Sequence, residues 1–360
     1  MKKYIDLPGM VDAHVHSRDL KQRSKMTVMQ TMKEARKSGV ATVCLMPNTD
    51  PSIDNEETLN EYLRLMEDAE RKTGVTAYVW VALTDTNHAE VIKMLRYKKV
   101  CGVKVYPLKP TGESVTTGAV GIQQWSSIMK LLFMMREEAN IDKPIAGHFE
   151  DPLLGHTEES EVSALKTLVS IAKRYPEQRF TACHITSAGG LAIIEEAWAS
   201  GLKIMAELTP HHLWWNRETI KLSQHAAALF HCFPPIKEPK DQQALIQFLV
   251  KHQKNPLVSI GSDTAPHHRS EKAGDNPPGG VPALQHSIPV LLTIAQEYGI
   301  EDGHICYLIH DNVIEHLGIE SVPDTMNTKW VLQPSTDAIV YNKGEVSSPW
   351  IGEKFAYTRA

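Results

Sequence analysis

Short apolar runs rich in β-branched residues alternate along the chain with longer segments in which apolar residues recur every three or four positions. The apolar runs occupy residues 10–16, 40–48, 76–84, 100–107, 144–150, 180–186, 202–210 and 257–264. The segments with helical periodicity include residues 27–38, 56–72, 121–139, 158–175 and 191–200. This alternation predicts parallel strands that are joined by helices.

The number and character of the apolar runs indicate how the strands are arranged. Most runs are continuously apolar, as expected for a parallel sheet covered on both faces. Eight strand–helix repeats close naturally into a barrel, so we predict an α/β fold of the (β/α)₈ TIM-barrel type. A doubly wound open sheet is the alternative, but no GxGxxG motif opens a helix after the first strand.

We predict a single domain over residues 1–360. The barrel would span residues 9–300, followed by extra helices at 301–329 and a strand-like extension at 330–360. Short extra strands are predicted at the termini, and those before the barrel would be absent or reduced to residues 4–7. Two connections, at 211–239 and 269–282, are long or rich in glycine and proline, which is typical of loops that cover a barrel mouth.

Composition narrows the possible partners. The formal net charge is −5, and acidic and basic residues are interspersed, so no basic face is predicted for nucleic acid or a membrane surface. A small-molecule partner fits better. The five cysteines form no CxxC pair, which argues against a disulfide framework or a thiolate zinc cluster. We find no leader or membrane-spanning run and predict a cytoplasmic protein.

Polar side chains occur at the carboxyl ends of six predicted strands, where barrel enzymes carry their catalytic groups. These residues are His14, His16, Asn48, Lys104, His148, His184 and Asp263. His14 and His16 are two apart on one strand and can therefore bind one metal ion together. An HxH pair is weak evidence in a chain with 17 histidines. Four histidines and an aspartate at one mouth, however, predict zinc or a similar divalent cation.

The sequence alone allows more than one interpretation of Lys104 and of Asp263. Lys104 lies in the apolar run Val-Cys-Gly-Val-Lys-Val-Tyr, and its amine either reaches solvent from the strand end or is buried. A buried neutral amine can combine with carbon dioxide, and a carboxylated lysine can bridge two cations. Asp263 either caps a turn before Pro266 or binds metal and moves a proton.

Seven stretches, in matching order and spacing, resemble the amidohydrolase superfamily. They are PGMVDAHVHSRD, ATVCLMPNTDP, CGVKVYP, IAGHFED, ACHITSAGG, AELTPHHL and GSDTAPHH. Arg18 after the HxH pair and Asn48 in MPN make the chain most similar to the dihydroorotase family within it. Relatives of the hydantoinase and allantoinase types usually lack that combination. The resemblance implies a zinc-dependent hydrolase that acts on the C–N bond of a cyclic amide.

The resemblance also implies a centre of two divalent cations, most simply Zn²⁺. The ligands it assigns are His14, His16 and Asp263 at the more buried cation, His148 and His184 at the second, and carboxylated Lys104 as the bridge. Asp263 would in addition carry a proton to the leaving ring nitrogen. For the substrate, the resemblance implies that Arg18, Asn48 and His267 bind a carboxylate, that Phe233 contacts the ring, and that Thr111 belongs to a closing loop.

The reaction implied by the resemblance is the reversible cyclisation of N-carbamoyl-L-aspartate to L-dihydroorotate in pyrimidine biosynthesis. The assemblies implied are a homodimer and an association with aspartate transcarbamoylase. Two alternatives stay open. One is another cyclic amidase of the hydantoinase, dihydropyrimidinase or allantoinase type. The other is a non-catalytic homologue that partners aspartate transcarbamoylase, which predicts gaps among the ligands, and none is seen.

Overall fold

A computed structural model of the chain describes residues 4–109, 120–320, 326–336, 346 and 348–360. The described strands are β1 (Tyr4–Leu7), β2 (Met10–Val15), β3 (Val40–Leu45), β4 (Thr76–Ala82), β5 (Val100–Val105), β6 (Ile145–Gly147), β7 (Phe180–Ala182), β8 (Ile204–Leu208), β9 (Val258–Ile260), β10 (Thr328–Thr336) and β11 (Lys354–Arg359). The α-helices are α1 (Val28–Ser38), α2 (Glu56–Thr73), α3 (His88–Met94), α4 (Ser126–Phe133), α5 (Glu158–Ala172), α6 (Ala188–Ala199), α7 (Pro210–Trp214), α8 (Arg217–Leu222), α9 (Pro239–Lys251), α10 (Arg269–Lys272), α11 (Ser287–Tyr298), α12 (Asp302–Cys306) and α13 (Asn312–Leu317).

Strands β2 to β9 form one eight-stranded parallel sheet in which every strand pairs with the next along the chain. A bridge between Val15 and Thr264 joins the two ends of the sheet, and the His16 amide donates to the Thr264 carbonyl at 2.9 Å. The sheet is therefore a nearly closed barrel with helices between its strands. The predicted (β/α)₈ fold is confirmed, and the open sheet is excluded.

The barrel strands end earlier than their apolar runs predict. Strands β6, β7 and β9 each contain three residues, so His148, His184 and Asp263 follow the strands instead of belonging to them. His184 and Asp263 have positive φ angles of 41° and 45°, which turn the backbone out of the strand path. His16 likewise follows the last residue of β2. Apolar periodicity cannot show where a hydrogen-bonded ladder ends, because the buried run continues past it.

Local sequence signals account for both ends of α1. Thr27 caps α1 through a reciprocal capping box with Gln30, and Gly39 ends the helix with a φ of 82°. The predicted helix at 121–139 is wrong at its start, since α4 begins at Ser126 and continues as a π-helical turn to Glu138. Gly121 lies against the Tyr106 carbonyl where no side chain would fit. No helix of the described ranges is long and apolar enough to cross a membrane.

The chain ends meet in a second sheet outside the barrel. Strand β10 pairs antiparallel with β1 on one side and with β11 on the other. This confirms the short extra strands predicted at both termini. The long connections contain short helices: α7 begins one residue before 211–239, α8 and a 3₁₀ turn at 227–230 lie within it, and α10 lies within 269–282.

Candidate active site

A cavity opens at the carboxyl ends of the barrel strands, with about 400 Å³ of empty space including the part open to solvent. Its lining residues are His14, His16, Arg18, Asn48, Tyr106, His148, His184, Phe233, Asp263, Ala265, Gly279 and Gly280. Two predicted site residues lie next to the cavity without lining it: Lys104 is beside Tyr106, and His267 is beside Arg18. Thr111 lies outside the described residues. The residues singled out from the strand ends are therefore brought to one place.

The first group of candidate ligands surrounds the Asp263 carboxylate. Its Oδ1 lies 3.2 Å from His14 Nε2 and 3.1 Å from His16 Nε2. The opposite ring nitrogens are held by acceptors, since His14 Nδ1 donates to Glu207 Oε1 at 2.7 Å and His16 Nδ1 donates to Asn48 Oδ1 at 2.6 Å. A proton held on Nδ1 leaves the lone pair on Nε2. Two imidazole lone pairs therefore face one carboxylate oxygen.

The second group contains His148 and His184. Nδ1 of His148 lies 3.1 Å from Nε2 of His184, while Nε2 of His148 donates to Glu150 Oε2 at 2.8 Å. Nδ1 of His184 is buried without a hydrogen-bond partner among the described residues. His14, His184 and Asp263 also offer one ligand atom each within 4.8 Å of one another. The two groups therefore adjoin and share one wall of the cavity.

The electrostatics of these groups fit a divalent cation. Burial lowers the pKa of His14, His16 and His184 well below the ordinary histidine value, and nearby positive groups lower it further. These rings are therefore neutral at pH 7, which is the form that binds metal. Burial also raises the pKa of Asp263, an effect that a bound cation would reverse. Neutral imidazoles around a buried carboxylate match the donor set of zinc.

Lys104 is fully buried below this cluster, so the interpretation in which its amine reaches solvent is wrong. Nζ donates to Cys183 Sγ at 2.9 Å and lies 5.4 Å from the centre of the Tyr106 ring. No carboxylate oxygen of the described chain lies within ion-pair distance of Nζ. Burial raises the pKa of Cys183 to about 12, so the thiol beside Nζ stays protonated at neutral pH.

Arg18 brings a second buried positive group to the cavity wall. It is 5% exposed and has a φ of 70°. Its Nη2 lies 3.2 Å from His267 Nε2, and its Nε has no hydrogen-bond partner within the described ranges. His267 Nε2 is also 2.9 Å from the Gly279 carbonyl, so in the tautomer that donates to Gly279 it cannot accept from Arg18. The guanidinium is left with unused donors beside the cavity.

The polar and aromatic sides of the same cavity come from different loops. Asn48 uses its carbonyl oxygen on His16, which leaves its amide N–H groups for a ligand. Phe233, from the connection after α8, forms the aromatic side. A side chain at Gly279 would overlap the Phe233 ring, so glycine is required where these two loops meet.

Residues 5–292 match the amidohydrolase family. The chain belongs to this family. Among its amidohydrolase relatives, the dihydroorotase of Bacillus cytotoxicus is 28% identical over 312 residues, which cover 81% of this chain and 68% of that protein. The resemblance predicted from the seven sequence stretches is thereby confirmed.

Two crystal structures support the amidohydrolase fold. Dihydroorotase from Saccharomyces cerevisiae in complex with 5-fluoroorotic acid has a TM-score of 0.81 at 22% identity, covering 99% of this chain and 98% of that one. L-Hydantoinase (dihydropyrimidinase) from Arthrobacter aurescens has a TM-score of 0.77 at 18% identity, covering 99% and 83%. At these sequence identities the structural similarity shows only a common fold, which the dihydroorotase and the hydantoinase share with this chain.

Several residues of this amidohydrolase site were not singled out from the sequence. Glu207 holds His14, Glu150 holds His148, and Cys183 contacts Lys104. All three lie inside the stretches that carry the resemblance. Glu207 had the same signal as Lys104, an ionisable residue within a buried apolar strand, and that signal is sufficient to find it.

Proposed function

We propose that this amidohydrolase is a dihydroorotase that interconverts N-carbamoyl-L-aspartate and L-dihydroorotate. The observation that carries the proposal is the burial of Arg18 at the cavity without a carboxylate partner among the described residues. Burial lowers the pKa of Arg18, but a guanidinium stays charged in proteins and requires a negative partner. Dihydroorotate supplies one, because its ring carries a carboxylate.

The neighbours of Arg18 complete a carboxylate site. A guanidinium offers parallel donors that match the two oxygens of a carboxylate, and the Asn48 amide adds a donor from the next strand end. His267 Nε2 donates to the Gly279 carbonyl and lies 3.2 Å from the guanidinium, so His267 limits the position of Arg18 by contact. A substrate carboxylate held by Arg18 and Asn48, with His267 beside them, would place the rest of the ring between Asp263 and Phe233, which line the same cavity.

We propose that the two groups of histidines, with Asp263, hold two zinc ions and that Lys104 is their bridge in a carboxylated form. Such ions supply a nucleophile at neutral pH and polarise the amide carbonyl. Carbon dioxide would add to the neutral amine of Lys104 with release of a proton, and the resulting carbamate would offer anionic oxygens to the cations. The Asp263 carboxylate, which faces the imidazoles, would accept a proton and return it to the ring nitrogen.

The other cyclic amidases remain the alternative function. A hydantoin or dihydropyrimidine ring without a carboxylate would leave the Arg18 charge buried and unpaired, which is unfavourable. A non-catalytic role fits less well, because every predicted ligand residue is present and all of them meet at one mouth. The one-domain organisation, the homodimer, the association with aspartate transcarbamoylase and the cytoplasmic location stay predictions.

The proposed function predicts a strong preference for a ring that carries a carboxylate. With zinc-loaded protein, we expect kcat/KM for L-dihydroorotate to exceed that for dihydrouracil, hydantoin or allantoin by about 100-fold or more, because a site built for a polar group rejects substrates that lack it. Loss of ultraviolet absorbance measures ring opening. A higher kcat/KM for a neutral ring would favour the alternative amidases, and no turnover of any ring would favour the non-catalytic homologue.

The Lys104 bridge predicts that metal content depends on carbon dioxide. Metal-free protein reconstituted with zinc and bicarbonate is expected to bind two ions per chain, and the Lys104→Ala variant is expected to lose the bicarbonate-dependent ion. Elemental analysis after gel filtration gives the stoichiometry. The Lys203→Ala variant serves as the control, since Lys203 is exposed and pairs with Glu177 at the surface. One bound ion with or without bicarbonate in the wild type contradicts the bridge.

A further inference from the structure

A buried carboxylate behind the second group of ligands connects two imidazoles. Oε2 of Glu150 accepts hydrogen bonds from His148 Nε2 at 2.8 Å and from His156 Nδ1 at 2.7 Å. Oε1 of Glu150 is buried without a hydrogen-bond partner among the described residues. A single carboxylate oxygen therefore accepts hydrogen bonds from both rings.

His156 continues this connection to the opposite wall of the cavity. Its ring stacks on Phe233, with centroids 4.3 Å apart and planes at 26°. Phe233 is confined from the other side by Gly279, where a Cβ would overlap its ring. The His156 side chain is 27% exposed, so the stack lies at the cavity rim and not in the barrel core. One face of Phe233 is thus held by a residue that Glu150 holds in turn.

We propose that Glu150 and His156 are positioning residues that join a metal ligand to the substrate wall. Glu150 keeps a proton on Nε2 of His148, so that Nδ1, which faces His184, presents its lone pair to the metal position. Through His156, the same carboxylate fixes the Phe233 ring that bounds the substrate. The substrate part of this inference rests on the proposed function, whereas the metal part does not.

Glu150→Gln tests the connection to the metal. An amide cannot accept from both imidazoles as a charged acceptor does, so we expect zinc affinity, measured by chelator competition without substrate, to fall about 10- to 100-fold. Glu195→Gln is the matched control, because Glu195 Oε1 also holds a histidine and a second donor, His252 Nε2 and Lys251 Nζ, away from the site. It should leave zinc affinity unchanged. Unchanged affinity in Glu150→Gln overturns the metal part.

Substitutions of the partly exposed His156 test the connection to the substrate. His156→Ala should raise KM for dihydroorotate about 3- to 10-fold with a smaller change in kcat, because a lost aromatic pair has that value. His156→Phe should restore KM by restoring the stack. His156→Asn should keep zinc affinity through its amide donor and leave KM high. Such a separation of KM from zinc affinity is not expected from a general loss of stability.

His252→Ala is the control for this series and should change neither KM nor zinc affinity, since its ring contacts Trp198 and Phe248 on the outer helices. An unchanged KM in His156→Ala, or a KM that His156→Phe fails to restore, overturns the substrate part. If the wild type does not turn over dihydroorotate, the proposed function fails, and chelator competition with Glu150→Gln still decides the metal part. Should Glu150→Gln not fold, Glu150→Asp replaces it, because the shorter carboxylate keeps its charge but cannot reach His148 Nε2, and unchanged zinc affinity in that variant likewise overturns the metal part.

Discussion

Replacing Asp263 with asparagine is expected to lower kcat by about three orders of magnitude or more while the barrel remains folded. Asparagine has nearly the same shape, but its amide is a weaker metal ligand and cannot accept the proton that must reach the ring nitrogen. In the structure, one oxygen of Asp263 faces both His14 Nε2 and His16 Nε2 at 3.2 and 3.1 Å. In the proposed mechanism, the substitution therefore removes a metal ligand and a proton carrier together.

The experiment measures kcat, zinc content and circular dichroism on the same preparations. Asp241→Asn is a suitable control, because Asp241 is also a buried carboxylate but accepts from the Ala188 amide at the start of α6. Its kcat should stay near that of the wild type. If the Asp263 variant retained a kcat within tenfold of the wild type with zinc bound, Asp263 would not be the proton carrier.

Asp263→Asn should lower kcat, but it should not destabilise the metal-free protein. Burial raises the pKa of Asp263 above its ordinary value of 3.8, so folding favours the protonated carboxyl. The stabilising contribution of this group is complete below pH 3.8 and is lost as the pH rises through the raised pKa. At neutral pH, metal-free Asp263→Asn should therefore be at least as stable to urea as the metal-free wild type. With zinc bound, the wild type should be more stable to urea than Asp263→Asn.

The eight-strand pattern was predictable because each barrel strand is buried and lies next to its neighbour in the chain. The residues at which individual strands end were not predictable. Beyond the ends of β7 and β9, the backbone leaves the strand path at His184 and Asp263, whose positive φ angles depend on interactions across the barrel mouth and have no local sequence signal. The strand residues were correctly placed at one mouth, but the exact strand ends were not.

The candidate site also has features that the sequence predicts and features that it does not. Residues such as Lys104 stand out, because a charged residue in an apolar strand is unusual at any position. The residues that hold the ligands depend on contacts between distant parts of the chain, as between His14 and Glu207, which are 193 residues apart. The stack of His156 on Phe233 joins two loops whose meeting no sequence pattern indicates. The candidate ligands could thus be named from the sequence, whereas the orientation of their side chains required the structure.

Replacing Arg18 with glutamine is expected to lower kcat/KM for L-dihydroorotate by about 10²- to 10⁴-fold and to leave kcat/KM for neutral rings such as dihydrouracil unchanged or higher. Glutamine keeps an amide donor but loses the charge and the paired donors that match a carboxylate. Arg18→Lys should recover only part of the loss, because an ammonium keeps the charge without the planar fork. The comparison of two substrates separates a lost anchor from a damaged metal centre, which would impair both.

The matched control is Arg217→Gln, because the Arg217 side chain is 52% exposed and pairs with Glu238 at the surface. It should change neither substrate preference nor rate. The unfolding temperature gives a further check, since removing a buried cation that has no carboxylate partner in the described structure should not destabilise Arg18→Gln. Full activity of Arg18→Gln on dihydroorotate would show that the carboxylate binds elsewhere, and the assignment as a dihydroorotase would lose the observation that carries it.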